Sequence, residues 1–215
     1  ADPLNSTGIA GIRQTITVPA GYAEVTLNVW IWTQAQAQME ARSDFQEIAF
    51  LDSFNAYVAR PYWYISNVQN WNRLSFNVNS IAGRTVDLRF AANNDSASGR
   101  VEMYVDDVQI TACTPGATTP IPTATLTSIP PTVTSTPGPV PTATLTPPVY
   151  PTASVTPSPY VPPAEGCIEL TDNPSFEMGL RPWQRGQGNL LPAERVNSTM
   201  FGEPLPGGAW ALQLG

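Results

Sequence analysis

The feature that most constrains the fold is a stretch that cannot itself form a core. Residues 114–163 contain 15 Pro, 14 Thr and 4 Ser and no charged residue. Such a composition favours polyproline II and offers almost nothing to bury. It divides the 215-residue chain into 113 residues before and 52 after. Fifty-two residues are too few for a comfortable independent core without staples, whereas the two flanks together suffice for one. The flanks also read as two parts of one domain in reversed order. Residues 164–215 look like an opening: a short strand at Cys167, then Asn173-Pro174-Ser175-Phe176-Glu177, Gly179, Trp183 and a strand at Ala209–Leu212. Residues 1–113 look like the remainder, closing on Tyr104-Val105-Asp106-Asp107-Val108-Gln109-Ile110. If residue 215 of one unit ran into residue 1 of the next, a complete domain would result. The expected organisation is therefore 1–113 as the larger, C-terminal part of a domain, 114–163 as linker, and 164–215 as the N-terminal part of the next domain. That next domain would be completed by residues 1–113 of a neighbouring copy, or of the same chain if the linker folds back.

Period-two alternation dominates the flanks, which predicts an all-β sandwich or barrel. Ala23–Thr33 sets Val25, Leu27, Val29 and Ile31 on one face and Thr26, Asn28, Trp30 and Trp32 on the other. Further strands are expected at Ile9–Val18, Glu47–Leu51, Ala56–Ile65, Arg84–Ala91 and Arg100–Ile110, with a turn at Asp52–Asn55. Gln34–Asp44 reads as a loop with one helical turn. Inside the linker, Pro120–Gly138 aligns with Pro139–Pro157 at a shift of 19, and both copies contain Pro-Thr-Ala-Thr-Leu-Thr. Fully extended, the tract spans roughly 150 Å. Clustered Thr with Pro suggests an O-glycosylated stalk, with Thr123, Thr125, Thr127, Thr142, Thr144 and Thr146 as acceptors; an unmodified spacer is the plainer alternative. Sequons for N-glycosylation occur at Asn5, Asn94 and Asn197.

The chain has no His, and all ten of its basic residues are Arg. The commonest general base and metal ligand is therefore absent, and so is Lys chemistry. A net charge of −7 without a basic stripe argues against nucleic acid. No apolar run reaches membrane-spanning length, and no signal-peptide pattern opens the chain, which therefore reads as mature or excised. The only two cysteines, Cys113 and Cys167, bracket the tract. In a cytosolic protein they would be free thiols; beside a tract typical of surface proteins, a disulfide is expected.

In the order 164–215 then 1–112, the sequence resembles the carbohydrate-binding-module-like β-jelly rolls of bacterial surface and secreted proteins. The resemblance is carried by Asn173-Pro174-Ser175-Phe176-Glu177, Gly179, Trp183, Gly208-Ala209-Trp210-Ala211-Leu212 and Arg13-Gln14-Thr15-Ile16. It continues through Ala82-Gly83-Arg84-Thr85-Val86 and Arg89-Phe90-Ala91-Ala92-Asn93 to Tyr104-Val105-Asp106-Asp107-Val108. It implies a jelly-roll sandwich, met here as a circularly phased repeat. It also implies a structural calcium between Glu177 and Asp106, with Asp107 and Asp172 as lesser ligands; surface carboxylates at strand ends are the alternative. In a jelly roll with adjacent termini, the disulfide would join Cys167 of one unit to Cys113 of the following repeat. Within one copy it would close the linker loop instead.

Trp30, Trp32, Tyr62, Tyr64 and Trp71 are candidates for stacking sugar rings, for packing a linker or subunit, or for ordinary core. Paired carboxylates are the only catalytic hardware available. Adjacent strand residues such as Asp106 and Asp107 should point to opposite faces and cannot flank one glycosidic bond. The expectation is a non-catalytic structural repeat or subunit of an extracellular filament or cell-surface fibre. Its partners would be copies of itself and its linker ordered and O-glycosylated. The alternative is a carbohydrate-binding module of a secreted multidomain protein, with glycans as ligand.

Overall fold

A computed structural model describes residues 7–36, 44–95, 99–116, 163–185, 193–201 and 204–215. Nearly all of the linker, the six candidate Thr acceptors, Asn5 and most of the expected 34–44 loop lie outside those residues. The described residues form two antiparallel sheets and no α-helix. The strands are β1 (Gly8–Thr17), β2 (Glu24–Ala35), β3 (Phe45–Leu51), β4 (Tyr57–Tyr64), β5 (Asn72–Asn77), β6 (Thr85–Asn94), β7 (Val101–Cys113), β8 (Cys167–Glu169), β9 (Gln184–Arg185), β10 (Ala193–Asn197) and β11 (Trp210–Leu214). One sheet runs β4-β3-β6-β1-β9; the other runs β10-β11-β7-β2-β5, with β8 also on β7.

The alternation read from β2 is borne out: Val25, Leu27, Val29 and Ile31 are buried, as are Val86, Leu88 and Phe90 on β6. These faces meet between the sheets with Ile12, Ile16, Phe50 and Ile110 in one apolar cluster. Gln34 and Ala35 continue β2 and are not loop. The strict alternation expected on β7 breaks at Asp107, which takes φ 46° where the β2–β7 register shifts. That shift has the character of a β-bulge. Gln46 ties the layers from within, its Nε2 donating to the Gln34, Ser66 and Glu102 carbonyls. On the outer face of the first sheet, fully buried Glu47 pairs with both Arg60 and Arg89. Removing one guanidinium leaves a buried carboxylate half-compensated. Arg89→Ala is expected to cost about 2 kcal/mol, below the usual range for a broken buried pair because Arg60 remains. Denaturant unfolding checks this.

Residues 163–185 and 193–215 do not form a separate unit. One edge of β7 is taken by β2; the other is covered by β11 at Met103–Val105 and by β8 at Thr111–Cys113. Between them Val108 N donates to the Pro174 carbonyl at 2.9 Å. β9 pairs with β1 at Ile12 and Arg13 in the opposite sheet. The motif around Asn173 has a clear physical role. Asn173 Nδ2 donates to the Gly179 and Arg181 carbonyls, both at 2.8 Å, and its own carbonyl accepts the Trp183 indole N–H. This turn drives Phe176 and Trp183 into the core against Phe90.

Cys113 and Cys167 lie opposite each other in the β7–β8 register and form a disulfide. The bond lies within a single chain, so it closes the linker loop. The other end of the sandwich carries both Gly8 and Gly215, linked through Asn94 and Val101. Gly8 pairs with Asn94, Asn94 bonds Val101 through both side-chain amide atoms, and Gly215 packs on the Val101 carbonyl too closely to admit a side chain.

Candidate functional site

The carboxylates expected to hold calcium do converge, but on backbone rather than on an ion. Asp106 Oδ2 accepts from Gly207 N at 2.7 Å and Oδ1 from Asp107 N at 2.8 Å. Glu177 Oε1 accepts from Ala209 N and Trp210 N at 2.8 and 2.9 Å. Gly207 and Gly208 make this possible. A Cβ on Gly207 would lie 2.7 Å from Asp106 Oδ1, and one on Gly208, at φ +144°, would lie 2.6 Å from Glu177 Oε1. The glycine pair thus lets a loop reach both carboxylates with its N–H groups.

Three of the four carboxylate oxygens, Asp106 Oδ1 and Oδ2 and Glu177 Oε1, are thus engaged by backbone N–H donors, and the pair is held in place without a cation. Asp172 engages Gln14 on β1 through its backbone N–H and carbonyl. Asp107 has Arg73 as its charged neighbour. Among the described residues no group of three or more His, Cys, Asp or Glu is arranged for a metal. Excess EDTA is therefore expected to leave the melting temperature unchanged, as thermal denaturation with and without chelator will show.

Burial pushes the Asp106 carboxyl up to about 8 from an ordinary 3.8. Its two N–H donors oppose the shift, while neighbouring Asp107 and Glu177 add to it. Burial raises Asp107 and Glu169 in the same direction. The folded state thus retains a proton that the unfolded state releases. Stability should fall as pH rises from about 4 through about 8 and level off above. Melting temperatures across that range check the sign, and Asp106→Asn, neutral throughout, should flatten the slope.

A second feature lies on the outer face of the β7 sheet. The even positions of β2, and those of β7 before the bulge at Asp107, point outward there, and the C-terminal segment folds over them. Tyr104, Val196, Leu205 and Ala211 form a small apolar cluster separate from the main core, packed by Trp32, Trp71 and Phe201. The rings meet edge to face. Trp32 and Tyr104 are 5.0 Å apart at 86°, Tyr104 and Phe201 4.9 Å at 85°, and Trp71 and Phe201 5.4 Å at 62°. Trp32, Tyr104 and Phe201 border a groove of about 380 Å³. Met200 forms part of its wall, and the amides of Gln34, Gln69 and Asn70 line the remainder. Among the described residues no charged side chain lines it. Burial pushes the Tyr104 phenol up, with Glu102 adding to the shift.

Of the five aromatic candidates, Trp32 and Trp71 reach this cluster. Trp30 shares the outward face of β2, two positions from Trp32. Tyr62 and Tyr64 pair with each other on β4, in the other sheet. Tyr104, Phe201, Gln69 and Asn70 were not anticipated. Tyr104 was legible only as part of the closing strand, and an isolated Phe in a Gly/Pro-rich loop gives no signal. Of the sequons, Asn94 is buried and occupied with Val101, while Asn197 caps a 3₁₀ turn by accepting from Thr199 N. Compared with known proteins, the chain matches no family model and no curated protein.

Proposed function

We propose that this chain is a non-catalytic structural subunit or repeat of an extracellular filament or cell-surface fibre. One observation carries the reading. The sandwich is complete only when residues 163–215, from beyond the linker, cover the free edge of β7 and pair with β1. Without them two sheet edges and an apolar flank lie open, which is the condition under which a donated segment joins one copy to another. The 46 residues between Gly116 and Pro163 have a contour length of roughly 140 Å as polyproline II, long enough to deliver the segment to a neighbour. In that arrangement Cys167 of one copy bonds Cys113 of the next, and the fibre is covalent.

The placement of Gly8 and Gly215 at the same end of the sandwich, joined through Asn94 and Val101, supports the companion idea of a jelly roll phased so that residue 215 leads into residue 1. The disulfide fits an oxidising, extracellular setting, and the Pro/Thr tract fits an O-glycosylated stalk. No helix among the described residues is long and apolar enough to cross a membrane. A carbohydrate-binding module is the second reading, favoured by the uncharged groove of aromatic and amide side chains.

Electron microscopy and non-reducing gels of native material test the proposal. Fibres with a regular axial repeat, and a ladder in steps of the 23.1 kDa chain plus any glycan that collapses on reduction, are expected for subunits. A far larger reduced mass indicates continuous repeats. Monodisperse single chains at every concentration, with no fibres, overturn it.

A further inference from the structure

We infer that the groove between Trp32, Tyr104 and Phe201 is a docking site for the second Pro/Thr repeat of this chain type, centred on Pro139–Pro148. The inference goes beyond assembly, because the groove exists wherever the domain is closed. Three observations point to this occupant.

The first is shape. Rings that meet near right angles leave notches between them, rather than the flat platform on which a sugar ring stacks. Aromatic notches suit the pyrrolidine rings of a polyproline II strand, which is already ordered and loses little entropy on binding. The amides of Gln34, Gln69 and Asn70 can bond the free carbonyls of such a strand.

The second is charge. Among the described residues the groove has no charged lining, on a chain of net charge −7. The 50-residue tract is equally uncharged. Neither partner desolvates a charge on docking.

The third is reach. The tract leaves and re-enters at the disulfide, nine positions along β7 from Tyr104, or roughly 30 Å. About ten residues of polyproline II cover that distance in each direction. Measured inward from Gly116 and Pro163, this leaves a central stretch that contains Pro139–Pro148. The groove also straddles the seam of the domain. Trp32, Tyr104 and Gln69 come from the first segment, and Met200 and Phe201 from the second. Docking therefore reads whether the domain is closed.

The test uses the full chain with residues 120–157 replaced by an equal length of Gly and Ser. It is titrated with the synthetic peptide PVPTATLTPP and followed by tryptophan fluorescence. A saturating change is expected, with affinity weakened about tenfold or more by Trp32→Ala, the loss expected for an anchoring aromatic. Asn70→Ala, on an exposed rim loop, should weaken binding without lowering the melting temperature, which keeps the test decisive if Trp32→Ala fails to fold. Absence of saturable peptide binding overturns the inference, as does binding unaffected by either substitution. Saturation by neutral oligosaccharides with no response to the peptide also overturns it and assigns the groove to sugar. None of these results depends on whether native material forms fibres.

Discussion

A chain ending at residue 162 should fail to give a cooperative unfolding transition, and adding residues 163–215 as a separate peptide should restore one. Phe176, Trp183, Leu205, Leu212 and Leu214 are each at most 4% exposed. Side chains of this size contribute about 1.5–3 kcal/mol each when fully buried. Their combined loss is on the order of the whole stability of an ordinary domain. The loss is compounded on the other side of the seam, where β7 regains an unpaired edge and Phe90 loses Trp183. Circular dichroism melts of the truncated chain, alone and with peptide, measure the effect. Unfolded or aggregated material that recovers a transition on complementation is the expected result.

The second large effect belongs to Cys113 and Cys167. Their sequence separation of 54 makes this a long loop to close in the unfolded chain. The chain-entropy account gives about 4 kcal/mol for such a loop. At about 2–4 °C per kcal/mol for a chain of this size, reduction should lower the melting temperature by roughly 8–16 °C. The double substitution Cys113→Ser, Cys167→Ser should do the same. Because β8 and β11 hold the segment independently of the bond, the reduced protein should still melt in one transition. A shift below about 2 °C would mean that the bond constrains little the strands do not already fix.

Much of the fold was legible because period-two patterning is dense here. β2 and β6 could be read residue by residue, since their apolar positions alternate without interruption. The relation between the two ends of the chain was legible for another reason. The turn at Asn173, the indole of Trp183 and the closing strand are held by specific bonds, so their residue types carry the information. Where the chain departs from simple patterns, the sequence misled or fell silent. β2 runs two residues into what reads as loop because Gln34 and Ala35 pair with Glu102 and Val101 across the sheet. Asp107 leaves the alternation because a bulge interrupts the register, which no periodicity reveals. β5 and β10 escaped notice because Asn72–Asn77 and Ala193–Asn197 carry few apolar residues. The carboxylate pair shows why residue type alone does not fix a role. Glu177 and Asp106 suggest a cation until Gly207 and Gly208 are seen to bring N–H donors to both. The aromatic cluster was half visible through Trp32 and Trp71. Its other side comes from Phe201, well over 100 residues from either in sequence and joined to them only by tertiary packing.

The central claim is that the segments on either side of the Pro/Thr tract are one folding unit. Native-state hydrogen exchange on the intact, oxidised chain tests it most directly, because backbone hydrogen bonds join β7 and β11. The account predicts that the most protected amides of Trp210–Leu214 and of Val101–Cys113 exchange through the same global opening, with equal free energies and equal denaturant dependence. Exchange of Trp210–Leu214 through a separate, lower-energy opening that leaves β7 fully protected would contradict it.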